Sequence, residues 1–268
     1  MQGSLVFFEG ADKYRVTPYG EVFKWYAKDY RTQNPVPYTW RDARCKIAIV
    51  RFPDSCWGAR GSFFRDRLLG SKIESSTPTT EAWFSIWHQL TLGTIPDSGL
   101  SFHSKDAQHL APRFFCPAPP TLVFDHRVGN EHPDFDFRGA ELLFLTGTEL
   151  TRETLITVNR HLQQTGAKAI LLKSLVPDGF KPNANWLVVD SFDDPAVQKV
   201  LKPVLPPEDE MQFLFGDHQV VFKKINRDRI QVFLDGKAVS PVIESSSQTS
   251  LGADGAELLR CEDCLKQK

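Results

Sequence analysis

Long apolar runs are missing from this 268-residue chain, and no stretch approaches the roughly 18 apolar residues that a membrane-spanning helix needs. Met1 to Lys13 lacks the basic-then-apolar order of a secretion signal, so the chain reads as soluble and cytoplasmic. Bulk charge is missing too. A formal net charge of -1 and a pI near 6.7 give no electrostatic reason to expect nucleic acid or an anionic membrane as partner. The basic stretches at 60–67 and 223–229 are interleaved with acids or aromatics, as on an ordinary solvated face. Cysteine is scarce: five residues at irregular spacing argue against a disulfide framework and fit a reducing compartment. Cys261 and Cys264 form a CxxC, but no second pair supplies the further ligands of a zinc site, and no metal is expected.

The chemical signatures that would mark an enzyme are absent as well. Neither common Gly-rich phosphate loop occurs, since the stretch from Gly58 to Gly61 is too short and Lys173-Ser174 has no Gly-rich turn before it; no cofactor is expected. No G-x-S-x-G or G-x-C-x-G elbow is present, the strand-to-helix turn that would expose a nucleophile above an α/β sheet.

What is present centres on residues 139–177. Leu142 to Leu145 is a continuous apolar run, as in a parallel strand buried on both faces. A helix follows, with Thr151 as candidate cap, Leu155, Val158 and Leu162 on one face, and Gly166 as stop. Ala169 to Leu172 begins a second strand, which makes a right-handed βαβ unit and an α/β domain.

The rest is placed around that unit. Ser4 to Phe8 reads as a strand. A helix then opens with Thr17 as cap and Pro18 at its first position, and carries Val22, Trp25, Tyr26 and Tyr30 at helical spacing. Its aromatic stripe needs a partner surface, either the following domain or another chain. Asn34 to Tyr38 is a proline-bearing connector. After it, Lys46 to Val50, Thr121 to Phe124 and Trp186 to Val189 read as further buried strands, Thr80 to Leu92 as a helix stopped by Gly93, and Asp193 to Leu205 as another helix. Beyond Pro206 the period changes to two, and 212–215, 219–223 and 229–234 read as antiparallel strands joined by turns at Gly216-Asp217 and 226–228. The expected domains are a strand and helix over 1–38, an α/β domain over 39–206, a β module over 207–240 and a flexible tail over 241–268.

Ligands of open α/β sheets lie beyond the carboxyl ends of the strands. The ligand-pocket candidates are therefore Asp54, Ser55 and Trp57 after the first strand, Thr146 and Thr148 after the third, and Ser174 after the fourth. Cys56, with Asp125 and His126 after the second strand, is the one catalytic constellation that neighbouring strand ends could assemble, as a Cys-His nucleophile. A buried inert cysteine and a surface ion cluster explain the same residues. Asp54 and Glu9 are single carboxylates with no sequence partner for glycoside hydrolysis. Trp40 and Trp57 could stack on carbohydrate, and core packing accounts for them equally.

Four phrases carry a resemblance: VTPYGEVFKWYAKDYR at 16–31, KIAIVRFPDSCWG at 46–58, DFDFRGAELLFLTGTELTRETLITVNRHLQQTGAKAILL at 134–172 and FGDHQVVFKK at 215–224. In wording and order they resemble the C-terminal region of bacterial glycoside hydrolases of the β-galactosidase kind. There, the end of a (β/α)8 barrel is followed by a flavodoxin-like, class I glutamine-amidotransferase-like trimerisation domain and a small β domain. The resemblance implies a flavodoxin-like parallel sheet flanked by helices, with a C-terminal antiparallel β module. It also implies a non-catalytic role, in assembly or support of a glycosidase, because the barrel carboxylates have no counterpart and the amidotransferase-like domain of that family lacks its nucleophile. The expected partners are further copies of the chain or a glycosidase barrel chain, with carbohydrate as a possible ligand. The alternative is a hydrolase, either a glycosidase working with a partner chain or an amidotransferase-like enzyme using Cys56.

Overall fold

The computed structural model of the chain describes residues 6–8, 14–16, 18–51, 78–93, 115–124, 137–147, 149–226 and 228–248. Two sheets dominate, the first with a core on each face and the second with one. The first is a parallel sheet of β4 (Ile47–Arg51), β5 (Thr121–Phe124), β6 (Leu142–Thr146), β7 (Lys168–Leu172) and β8 (Trp186–Val189). In space the order is β5-β4-β6-β7-β8, the second, first, third, fourth and fifth parallel strands in chain order. That is the flavodoxin-like order, with its topological switch between β4 and β6.

The apolar runs form these strands because both faces are covered. Side chains alternate across a strand. Ile47, Ile49, Leu142, Phe144, Ile170 and Val189 form one core with Ala82, Ile86 and Leu90 of α2 (Pro78–Leu90) and Val197 and Leu201 of α4 (Pro195–Leu201). Ala48, Val50, Leu143, Leu145, Ala169 and Leu171 form the opposite core with Leu155, Val158 and Leu162 of α3 (Arg152–Thr165). Every residue of β4 and β6 is buried, and each large aliphatic side chain so covered contributes roughly 1.5–3 kcal/mol. The predicted helix over 193–205 is shorter than expected: it runs over Pro195–Leu201, capped by the Asp194 carboxylate, which accepts from the Ala196 N–H at 2.8 Å.

The second sheet is antiparallel, in the order β12-β11-β10-β9-β3, with β13 also paired to β11. Its strands are β3 (Ala43–Arg44), β9 (Glu210–Phe215), β10 (His218–Asn226), β11 (Arg229–Leu234), β12 (Lys237–Ala238) and β13 (Ile243–Glu244). The expected turn at Gly216-Asp217 joins β9 to β10. Asp235-Gly236 joins β11 to β12 with both residues at positive φ, 50° and 77°, as a tight hairpin turn requires.

Residues outside the 207–240 stretch complete this module. β3, from the start of the expected α/β domain, pairs with β9, and β13 comes from the stretch expected to be flexible. Tyr19 and Val22 of α1 (Pro18–Trp25) sit in its core with Met211, Phe222, Ile230, Val232 and Ile243. The aromatic helix is thus partnered by the C-terminal sheet. A third, small sheet joins β1 (Val6–Phe8), β2 (Tyr14–Val16) and β14 (Ser246–Gln248), which brings the two ends of the described chain together. Phe115 enters the antiparallel core while the adjacent Cys116 and Ala118 enter the parallel one, so one short segment is anchored in both. No helix among the described residues is long and apolar enough to cross a membrane.

Candidate functional site

The carboxyl ends of β4, β6, β7 and β8 form one edge of the parallel sheet, and the crevice rule directs attention there. Arg51 ends β4 and Thr146 ends β6, and the two are paired in register. By alternation both belong to the face of the sheet that α2 and α4 cover, the face of Ile49 and Phe144. Arg51 is 8% exposed, and its guanidinium carbon lies 4.6 Å from the Trp83 ring centroid of α2. Thr146 is 1% exposed, and among the described residues its hydroxyl has no hydrogen-bond partner. Gly147 follows at φ 146°, a backbone conformation that favours glycine.

Of the predicted pocket residues, Thr146 lies at this edge and is buried. Ser174 lies after β7 on the short 3-10 turn Lys173–Leu175 and is exposed. Asp54, Ser55, Cys56, Trp57, Asp125, His126 and Thr148 lie outside the described residues, as do Cys261 and Cys264. The last residues of β4 and β5, Arg51 and Phe124, are register partners. The two cysteines among the described residues, Cys45 and Cys116, are buried thiols outside any disulfide. Burial pushes the Cys116 thiol up to about 12, so it carries no thiolate near neutrality. Among the described residues no three His, Cys, Asp or Glu side chains converge as a metal site would require.

Sequence reasoning passed over three features. Asp193, just after β8, accepts from Ser85 Oγ at 2.7 Å and from Gln89 Nε2 at 3.1 Å, and Gln89 Oε1 in turn accepts from Gln198 Nε2. This polar clasp ties α2 to the turn before α4. Its signal was the i, i+4 pair Ser85 and Gln89, two polar residues that helical spacing puts side by side. Secondly, α1 continues into a π-helical turn, Tyr26–Tyr30, closed by the Arg31 N–H donating to Tyr26 O. The wider turn brings residues five apart into line: Trp25 and Tyr30 have ring centroids 4.9 Å apart. Tyr38 stacks on Phe215 at 4.4 Å beside this turn, and its phenol is pushed up to about 12, by burial first and then by Tyr26, Tyr30 and Asp235. Thirdly, a depression of about 550 Å³ lies at the opposite, amino end of the sheet, edged by Glu141, Lys168 and Lys199. These three side chains are exposed, as on an ordinary surface, and the depression is remote from the strand ends where α/β ligands bind.

Compared with protein-family models, with curated proteins and with solved structures, the chain gives no match.

Proposed function

We propose that this chain is a non-catalytic, glutamine-amidotransferase-like module that assembles as a homo-oligomer and supports a glycoside hydrolase of the β-galactosidase kind. The observation that carries the reading is the connection leaving β6. A catalytic domain of this architecture would place its nucleophile on a sharp strand-to-helix turn. Here five residues, 147–151, separate β6 from α3, and none of them is a serine or a cysteine.

Two further points support it. The helix resembling the end of a barrel and the C-terminal β module share one core, with Tyr19 and Val22 against Ile230 and Val232, so the order of parts in the resemblance is matched by a shared packing. Beyond that core the same helix leaves Phe23 exposed at 43% and Tyr26 and Tyr30 half-buried, aromatic area suited to a protein partner. The module would act by positioning surfaces, with no cofactor.

The test is hydrolysis of a panel of aryl glycosides and of glutamine by the purified chain, alongside the Cys56→Ala variant. The expected result is no turnover by either protein. Turnover abolished by Cys56→Ala would overturn the reading in favour of an amidotransferase-like hydrolase. Glycoside turnover that survives it would place catalytic carboxylates within this chain.

A further inference from the structure

We infer that the carboxyl edge of the parallel sheet binds an oxyanion, a phosphate or carboxylate group borne by a small molecule, through the Thr146 hydroxyl and the Arg51 guanidinium. Three independent observations converge on it. The first is the Thr146 hydroxyl, which has no hydrogen-bond partner among the described residues. A buried hydroxyl without a partner destabilises a fold, whereas valine fills the same volume without that cost. Thr146 stands at the end of the five-residue run LLFLT, the rest of it apolar, where valine would serve packing better.

The second is what lies next to it. Arg51 is its register partner on the same face, a buried cation held by its own contacts within the protein. The contact with Trp83 favours a fixed guanidinium orientation, as cation–π contacts do. Five N–H donors allow that group to serve a ligand together with any other acceptor it holds. A cation beside a hydroxyl donor selects an oxyanion over a metal ion or a neutral sugar. The third is position. The pair occupies the ends of the first and third parallel strands, where the order reverses, which is the crevice that open α/β sheets use for ligands.

This site does not depend on the proposed assembly role, and glycoside turnover does not test it. Its test is binding to the full chain, followed by tryptophan fluorescence and calorimetry, with inorganic phosphate and acetate in separate titrations against chloride at equal ionic strength. Saturable binding of phosphate or of acetate in preference to chloride is expected, and the better of the two identifies the group. Thr146→Val is expected to weaken that binding by about tenfold, the loss of one hydrogen bond to a charged group. Thr146→Ser should retain most of it. In the ligand-free protein, Thr146→Val should leave the melting temperature unchanged or raise it. The proposal is overturned if neither anion binds above chloride, if Thr146→Val binds as well as the parent, or if that variant melts lower without ligand, which would make the hydroxyl structural.

Discussion

At the scale of single residues, burial sets the chemistry of Cys116 and Tyr19. The Cys116 thiol, in the parallel core, is raised by desolvation; the Tyr19 phenol, in the antiparallel core, is raised by desolvation and then by Cys116. Both hold their protons in the folded chain. Below their ordinary values, 9.0 and 10.0, the unfolded chain is protonated as well and no stability is lost. Above those values only the unfolded chain releases the protons, so stability falls as pH rises, by about 1.4 kcal/mol per pH unit for each group. The loss from Cys116 ends where the folded thiol itself titrates, at about 12. Urea unfolding from pH 8 upward should therefore show the parent losing stability between about pH 9 and 10, relative to Cys116→Ala, by roughly one such increment. Parallel curves for the two proteins over that interval would show that the thiol is not desolvated. Thr146 was legible as a site candidate because it ends an apolar run. Its partner Arg51 was not, since from the sequence it reads as the first residue of a loop, and only the strand register reveals that it is buried beside Thr146.

Elements with strong period and clear stops were readable. The five parallel strands, α2 and α3 fall where continuous apolar runs and helical spacing put them, because both depend on local pattern. Gly166 ends α3 as expected, at φ 75° with its N–H donating to Leu162 O. An added Cβ would meet no atom within 4 Å, so Gly166→Ala is opposed only by the left-handed backbone and should cost about 1 kcal/mol. Asp194→Ala should cost a similar amount by removing the cap on α4, about 1 kcal/mol, while Asp194→Asn restores most of it. Thermal unfolding of the three variants checks both figures. A neutral Gly166→Ala would mean that the turn relaxes out of the left-handed conformation. Among the elements that sequence missed are β2, β3, β13 and β14, of two or three residues each. Strands that short carry no period, and their pairing is decided by partners far away in the chain, as when Ala43 meets Phe215.

At the scale of the whole molecule, the expected order of barrel-like helix, α/β domain and β module describes the chain's sequence better than its cores. The helix and the β module share one core, and the segment around Phe115 and Cys116 joins it to the other. Domain boundaries read from composition cannot reveal this, because Asn34 to Tyr38 looks like a linker whether the parts beside it separate or pack. The strand order was implied by a resemblance carried on a few phrases and is the flavodoxin-like one, while the function attached to that resemblance rests on assembly. The most direct measurement of that claim is the solution mass of the chain by light scattering over a range of concentrations. The proposed role requires a stable oligomer, a whole-number multiple of 30.4 kDa that persists on dilution. A monomer of 30.4 kDa at every concentration would contradict it.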